Sequence, residues 1–74
     1  MKYIRDEKSI KRLGKKIKAL RMKQEISQSQ LAFEANIPRN QIGRIERGEI
    51  NTSISTVLSI AKALEINPKE FFDF

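Results

Sequence analysis

Neither cysteine nor histidine occurs anywhere in this 74-residue chain. Without cysteine there is no disulfide framework and no thiolate metal site, which fits a reducing cytoplasm. Without histidine the commonest general base and the commonest metal ligand are both missing. There is no acidic cluster either, so the chain has little with which to perform catalysis, and a non-enzymatic role is expected. No run approaches the roughly 18 apolar residues of a membrane span, and the N-terminus carries no signal-like apolar stretch. A chain of this length forms one domain, residues 1–74, and buries about 60% of the surface its unfolded form exposes. That leaves no large interior for a cleft. No cofactor, metal or small-molecule ligand is expected.

Positive charge is plentiful but one-sided. Residues 1–48 carry 13 Lys and Arg against 5 Asp and Glu, while residues 49–74 carry 2 against 4. The net +6 is therefore concentrated in the front two-thirds, as expected of a protein that meets a polyanion with one side only. A merely Lys-rich solvated surface would look the same by composition, so charge alone does not decide.

The apolar pattern is helical throughout, with no alternating strand segment. Ile10, Leu13, Ile17 and Leu20 recur at three- and four-residue spacing, predicting a first helix from about Asp6 to Gln24. Gly14 weakens it by about 1 kcal/mol relative to alanine. Ser27 is placed to cap a second helix, and Gln30 three residues on completes a capping-box pattern. Asn36 tolerates the left-handed backbone of a helix exit. Pro38 keeps Ile37 extended and opens a third helix, which Gly48 stops. From Ser53, the residues Ile54, Val57, Leu58, Ala61 and Leu64 trace a fourth helix. Asn67, Pro68 and Glu70 form a start signal for a fifth, about 68–73. The expected fold is all-α, a compact five-helix bundle.

Residues 27–47 carry the functional signal. Two short helices joined by a three- or four-residue turn form a helix-turn-helix, which presents its second helix to the DNA major groove. The polar face of that helix holds Arg39, Asn40, Gln41 and Arg44, opposite Ile42 and Ile45. Arginine pairs bidentately with guanine, and asparagine or glutamine with adenine. These four are the base-contacting candidates, although an ordinary polar helix face would show the same spacing. Ser27 and Gln28 open the preceding helix, where free backbone N–H groups attract phosphate. Lys15, Lys16 and Lys18 are solvated by default, with Lys18 the candidate for a backbone contact. Phe33 reads as a core or helix-packing residue.

Leu20-Arg21, Ser27-Gln28, Leu31-Ala32, Ile42, Ile45-Glu46-Arg47-Gly48, Ser53, the run Ile60–Leu64 and Asn67-Pro68 before Phe71 together resemble the phage repressor and Cro-type helix-turn-helix family. The resemblance spans Leu13 to Phe72. The string from Glu46 to Ser53 is also similar to controller proteins of restriction-modification systems. The family implies a five-helix domain that regulates transcription by binding double-stranded DNA. It implies base-edge positions at Pro38, Arg39, Asn40 and Arg44, phosphate contacts at Gln28 and Arg47, and an ion pair between Arg21 and Glu46. Arg47 would also complement the C-terminal end of its helix. Three departures stand out: Asn36 replaces a turn glycine, Pro38 replaces a capping Ser or Thr, and Gly43 should loosen the recognition helix.

Phe71, Phe72 and Phe74 crowd a very short terminal helix, and an exposed aromatic cluster marks an association surface. With Ile66 they are expected to form a homodimer interface, symmetric dimers being the commonest soluble oligomers. The competing expectation is an adapter or antitoxin subunit docking a partner protein through the same cluster. A membrane-surface role for the lysine-rich first helix is disfavoured because its apolar stripe holds only Ile and Leu. The sequence-based expectation is a cytoplasmic, nucleoid-associated DNA-binding regulator.

Overall fold

A computed structural model describes residues 4–74. Among them the order is α1 (Glu7–Lys23), α2 (Gln28–Ala35), α3 (Arg39–Glu46), α4 (Ile54–Ala63) and a 3-10 turn (Pro68–Phe72), with no strand. The fifth element is thus one 3-10 turn rather than an α-helix. No helix among the described residues is long and apolar enough to cross a membrane.

Helix starts follow the local chemistry. Asp6 accepts from Ser9 N, Ser27 from Gln30 N, Ser53 from Thr56 N and Asn67 from Lys69 N. Only the forward half of the expected Ser27 capping box forms, because Gln30 Nε2 donates to Glu34 instead of reaching back. Pro38 begins α3 without any side-chain cap.

All four α-helices end by one device. A residue in the left-handed region (Glu25, Asn36, Gly48, Glu65) is followed by a residue whose N–H returns to the carbonyl five positions earlier. After α1, α2 and α4 that following residue is an isoleucine, and Ile26, Ile37 and Ile66 pack against the core. After α3 it is Glu49, which stays exposed.

The core gathers Ile17, Leu31, Ile42, Ile45, Val57, Ile60, Leu64 and Phe71 from every element. Three assignments change here. Phe71 is fully buried in the core, so of the three phenylalanines only Phe72 and Phe74 remain for the expected association surface. Phe33 is 86% exposed, because α2 turns Leu31, Ala32 and Ala35 inward and Phe33 falls on the opposite side. Ile54 and Leu58 are also exposed, and α4 buries the neighbouring stripe Val57, Ile60 and Ala61.

Gly14 also takes on a different meaning. A Cβ built there would stand 2.3 Å from the carbonyl oxygen of Ile45 and 2.7 Å from that of Glu46. Glycine is therefore what lets α1 cross the C-terminal end of α3 at backbone contact. A similar approach brings Lys11 against Gly48, whose φ is +71°.

Candidate nucleic-acid interface

The inner face of α3 is fixed by its apolar residues and one buried charge. Ile42, Gly43, Ile45 and Glu46 are all buried. Glu46 accepts from Arg21 Nε at 2.7 Å and from Nη2 at 3.1 Å, a two-point pairing between α1 and α3. Arg21 Nη1 also donates to the Ile26 carbonyl at 2.8 Å, so the guanidinium ties α1, the α1–α2 turn and α3 together. The pair expected from the family resemblance is present and structural.

Gln28 joins that network. Its Nε2 donates to Glu46 Oε1 at 3.0 Å, which orients the amide and occupies one of its two N–H groups. The other remains for an outside acceptor. Ser27 lies beside it with its oxygen accepting from Gln30 N and its hydroxyl hydrogen still available to donate.

Gly43 sits between Gln28 and Arg47. A Cβ there would be 3.0 Å from Arg47 Nη1 and 3.6 Å from Gln28 Oε1. The bare backbone lets the guanidinium of Arg47 lie across α3 towards Gln28. Two side chains from different helices, both assigned to phosphate from sequence, thus converge on one spot.

The outward side of α3 carries the base-facing candidates. Pro38, Arg39, Asn40 and Arg44 are exposed, and Gln41 is half-buried. Arg39, Asn40 and Arg44 make no side-chain hydrogen bond to the rest of the chain among the described residues, although Arg44 Nε stands 3.7 Å from Glu49 Oε1. A helix whose polar side chains lack hydrogen-bond partners on one side and are locked on the other suits an external hydrogen-bonding surface.

Glu49, Arg5 and Lys11, near the end of α3, were not singled out from sequence. Glu49 accepts from Arg47 Nε at 2.6 Å. That bond holds its carboxyl below the usual carboxylate range and raises the Arg47 guanidinium further. Arg5 Nη2 donates to the Glu49 carbonyl at 3.1 Å, and Lys11 packs on Gly48. Lys18 is exposed on α1, whereas Lys16 is taken up by Asp73 at 3.0 Å. Among the described residues no group of three or more acidic residues could hold a metal ion.

The expected association surface is built from the 3-10 turn and the first half of α1. Phe72 and Phe74 are about half-exposed with ring centroids 6.4 Å apart, and Arg12 stands 5.5 Å over the Phe74 ring. Ile4, Ile10 and Leu13 join the two phenylalanines around a shallow apolar depression. Ile66 is only half-exposed and packs on the core edge.

Comparison with known proteins gives the same picture. The chain is 42% identical over 62 residues to control protein C.BamHI of Bacillus amyloliquefaciens, covering 82% of this chain and 76% of that protein. It superposes on the restriction-modification controller protein C.AhdI of Aeromonas hydrophila with a TM-score of 0.84 at 36% identity, covering 85% of this chain and 96% of that one. The tetramer of the controller protein C.Esp1396I, solved with its natural 35 base-pair operator, gives a TM-score of 0.84 at 29% identity, covering 92% and 90%. Residues 17–71 match the helix-turn-helix family, to which this chain belongs.

Proposed function

We propose that this chain is a sequence-specific regulator of transcription that binds double-stranded DNA as a homodimer, with α3 in the major groove. The observation that carries the reading is the exposed outer row of α3, whose side chains make no hydrogen bond to the rest of the described chain. Arg39, Asn40 and Arg44 are exposed beside buried Ile42, Ile45 and Glu46. Residues at the start of a recognition helix are those that meet base edges, so Pro38, Arg39, Asn40 and Gln41 take the deepest positions and Arg44 the next turn. The open N–H of Gln28, the Ser27 hydroxyl, Arg47 and Lys18 hold phosphates, which set register without reading sequence.

The apolar depression between Phe72, Phe74 and Ile4 supplies the two-fold contact. A symmetric dimer then presents two copies of α3 to half-sites about one helical turn apart, on the order of 34 Å. The relatives named as restriction-modification controller proteins, one of them solved as a tetramer with its operator, support this reading.

Selection from random duplexes at stated salt tests it. A two-fold-related motif is expected, with spacing near one turn. Equal binding to all duplexes at moderate ionic strength would remove the regulator reading. Light scattering tests the dimer: wild type is expected to run as a dimer and the Phe72→Ala/Phe74→Ala variant as a monomer. An unchanged dimer in that variant moves the interface elsewhere.

A further inference from the structure

Glu49 breaks the rule that governs the other helix ends. Where α1, α2 and α4 are each closed by an isoleucine tucked onto the core, α3 is closed by a carboxylate turned outward. Its backbone is tied on both sides, the N–H to the Arg44 carbonyl at 2.9 Å and the carbonyl to Arg5 Nη2 at 3.1 Å. The carboxylate is therefore held at this end of α3. There it accepts from Arg47 Nε and Nη2 at 2.6 and 3.4 Å and faces Arg44 Nε at 3.7 Å. Both arginines are more than half exposed, so nothing in the packing requires them to be neutralised.

A carboxylate across the fork of an arginine has the geometry of a phosphate across the same fork. We propose that Glu49 is a built-in competitor for the DNA backbone, occupying Arg47 in the free protein and opposing the duplex once it is displaced. The inference rests on the reading that Arg47 meets a phosphate. Displacement exchanges one anion for another on the guanidinium, and the freed carboxylate is left as a fixed negative charge beside the duplex. Both effects weaken the electrostatic part of binding, which is the part shared by every sequence. Base contacts made by Arg39 and Asn40 are untouched. The device trims affinity for bulk DNA, against which any operator must compete.

The test is anisotropy titration of a fixed non-operator duplex over a salt series with wild type, Glu49→Gln, Arg47→Gln and the double variant. Glu49→Gln is expected to bind roughly twofold to fivefold more tightly, the range of an exposed ion pair. Its log–log salt slope should steepen by about 0.9, one more effective phosphate. In the Arg47→Gln background most of the gain should vanish, since the two residues act on one contact. If Arg47→Gln weakens binding while Glu49→Gln binds equally or more weakly, Glu49 positions Arg47 instead, and the inference alone is overturned. If Arg47→Gln leaves binding unchanged, the phosphate reading of this end of α3 falls, and the inference with it.

Discussion

The two sides of α3 are built from similar residue types put to opposite uses. Inward, Arg21 and Glu46 bring a full positive and a full negative charge together at 2.7 Å with almost no solvent, and Gly14 lets the backbones touch above them. Outward, Arg44, Arg47 and Glu49 form ion pairs in water, at distances up to 3.7 Å and with about half of each side chain exposed. A buried pair is expensive to break because the survivor is stranded, whereas an exposed pair is cheap to exchange. Identical chemistry is therefore a fastener on one side and a replaceable contact on the other, and only burial separates them.

The sharpest way to break this contrast is to remove one inner partner. Arg21→Ala should cost about 3–5 kcal/mol by leaving Glu46 buried without its counter-ion. In a domain this small that lowers Tm by well over 10 °C, read by circular dichroism. Arg44→Ala should leave Tm nearly unchanged; a comparable drop there would erase the distinction between the faces.

Next come the glycines. Gly14→Ala should cost about 1–3 kcal/mol or more, because its Cβ meets rigid carbonyls and the helices must part. Gly43→Ala meets only the side-chain ends of Arg47 and Gln28, so the helix should gain up to about 1 kcal/mol while DNA affinity falls. Equal melting temperatures for the two variants would contradict the close crossing.

On the outer face, Arg44→Ala should cost ~1–3 kcal/mol of DNA affinity and relax preference at one base position. Lys18→Ala should weaken all duplexes alike and reduce the salt slope by about 0.9. An Arg44→Ala variant with unchanged sequence preference removes that residue from base readout. The smallest effect is at the far end of α1. Ser9 donates to the Asp6 carboxylate and lowers its pKa, so this cap stabilises the fold above the ordinary aspartate range near 3.9 and is lost as pH falls through the lowered value. Asp6→Asn should remove that acid dependence, and an unaltered acid melting profile would count against it.

What could be read without coordinates was the punctuation. Ser27, Asn36, Pro38, Gly48, Ser53 and Asn67 act on backbone groups within four residues of themselves, so their meaning is local and each marks a real boundary. The outer row of α3 was legible for the same reason, since spacing along one helix decides which side chains share a face. Gly14 was not legible, because a helix glycine looks like a weakness until the crossing helix is known. The three terminal phenylalanines could not be told apart, since burying Phe71 while exposing Phe72 and Phe74 depends on how the 3-10 turn meets α1 and α4. Glu25 and Glu65 conceal their left-handed backbone behind a residue type that rarely adopts it.

The absence of slack between Gly14 and the last carbonyls of α3 has a practical result for anyone wishing to retarget the molecule. On the proposed reading, α3 cannot move closer to α1 to suit a new duplex without driving two backbones together. If α3 meets the groove as proposed, new preferences are written by exchanging the exposed residues 39, 40 and 44, and a library confined to those three positions should yield folded proteins almost throughout.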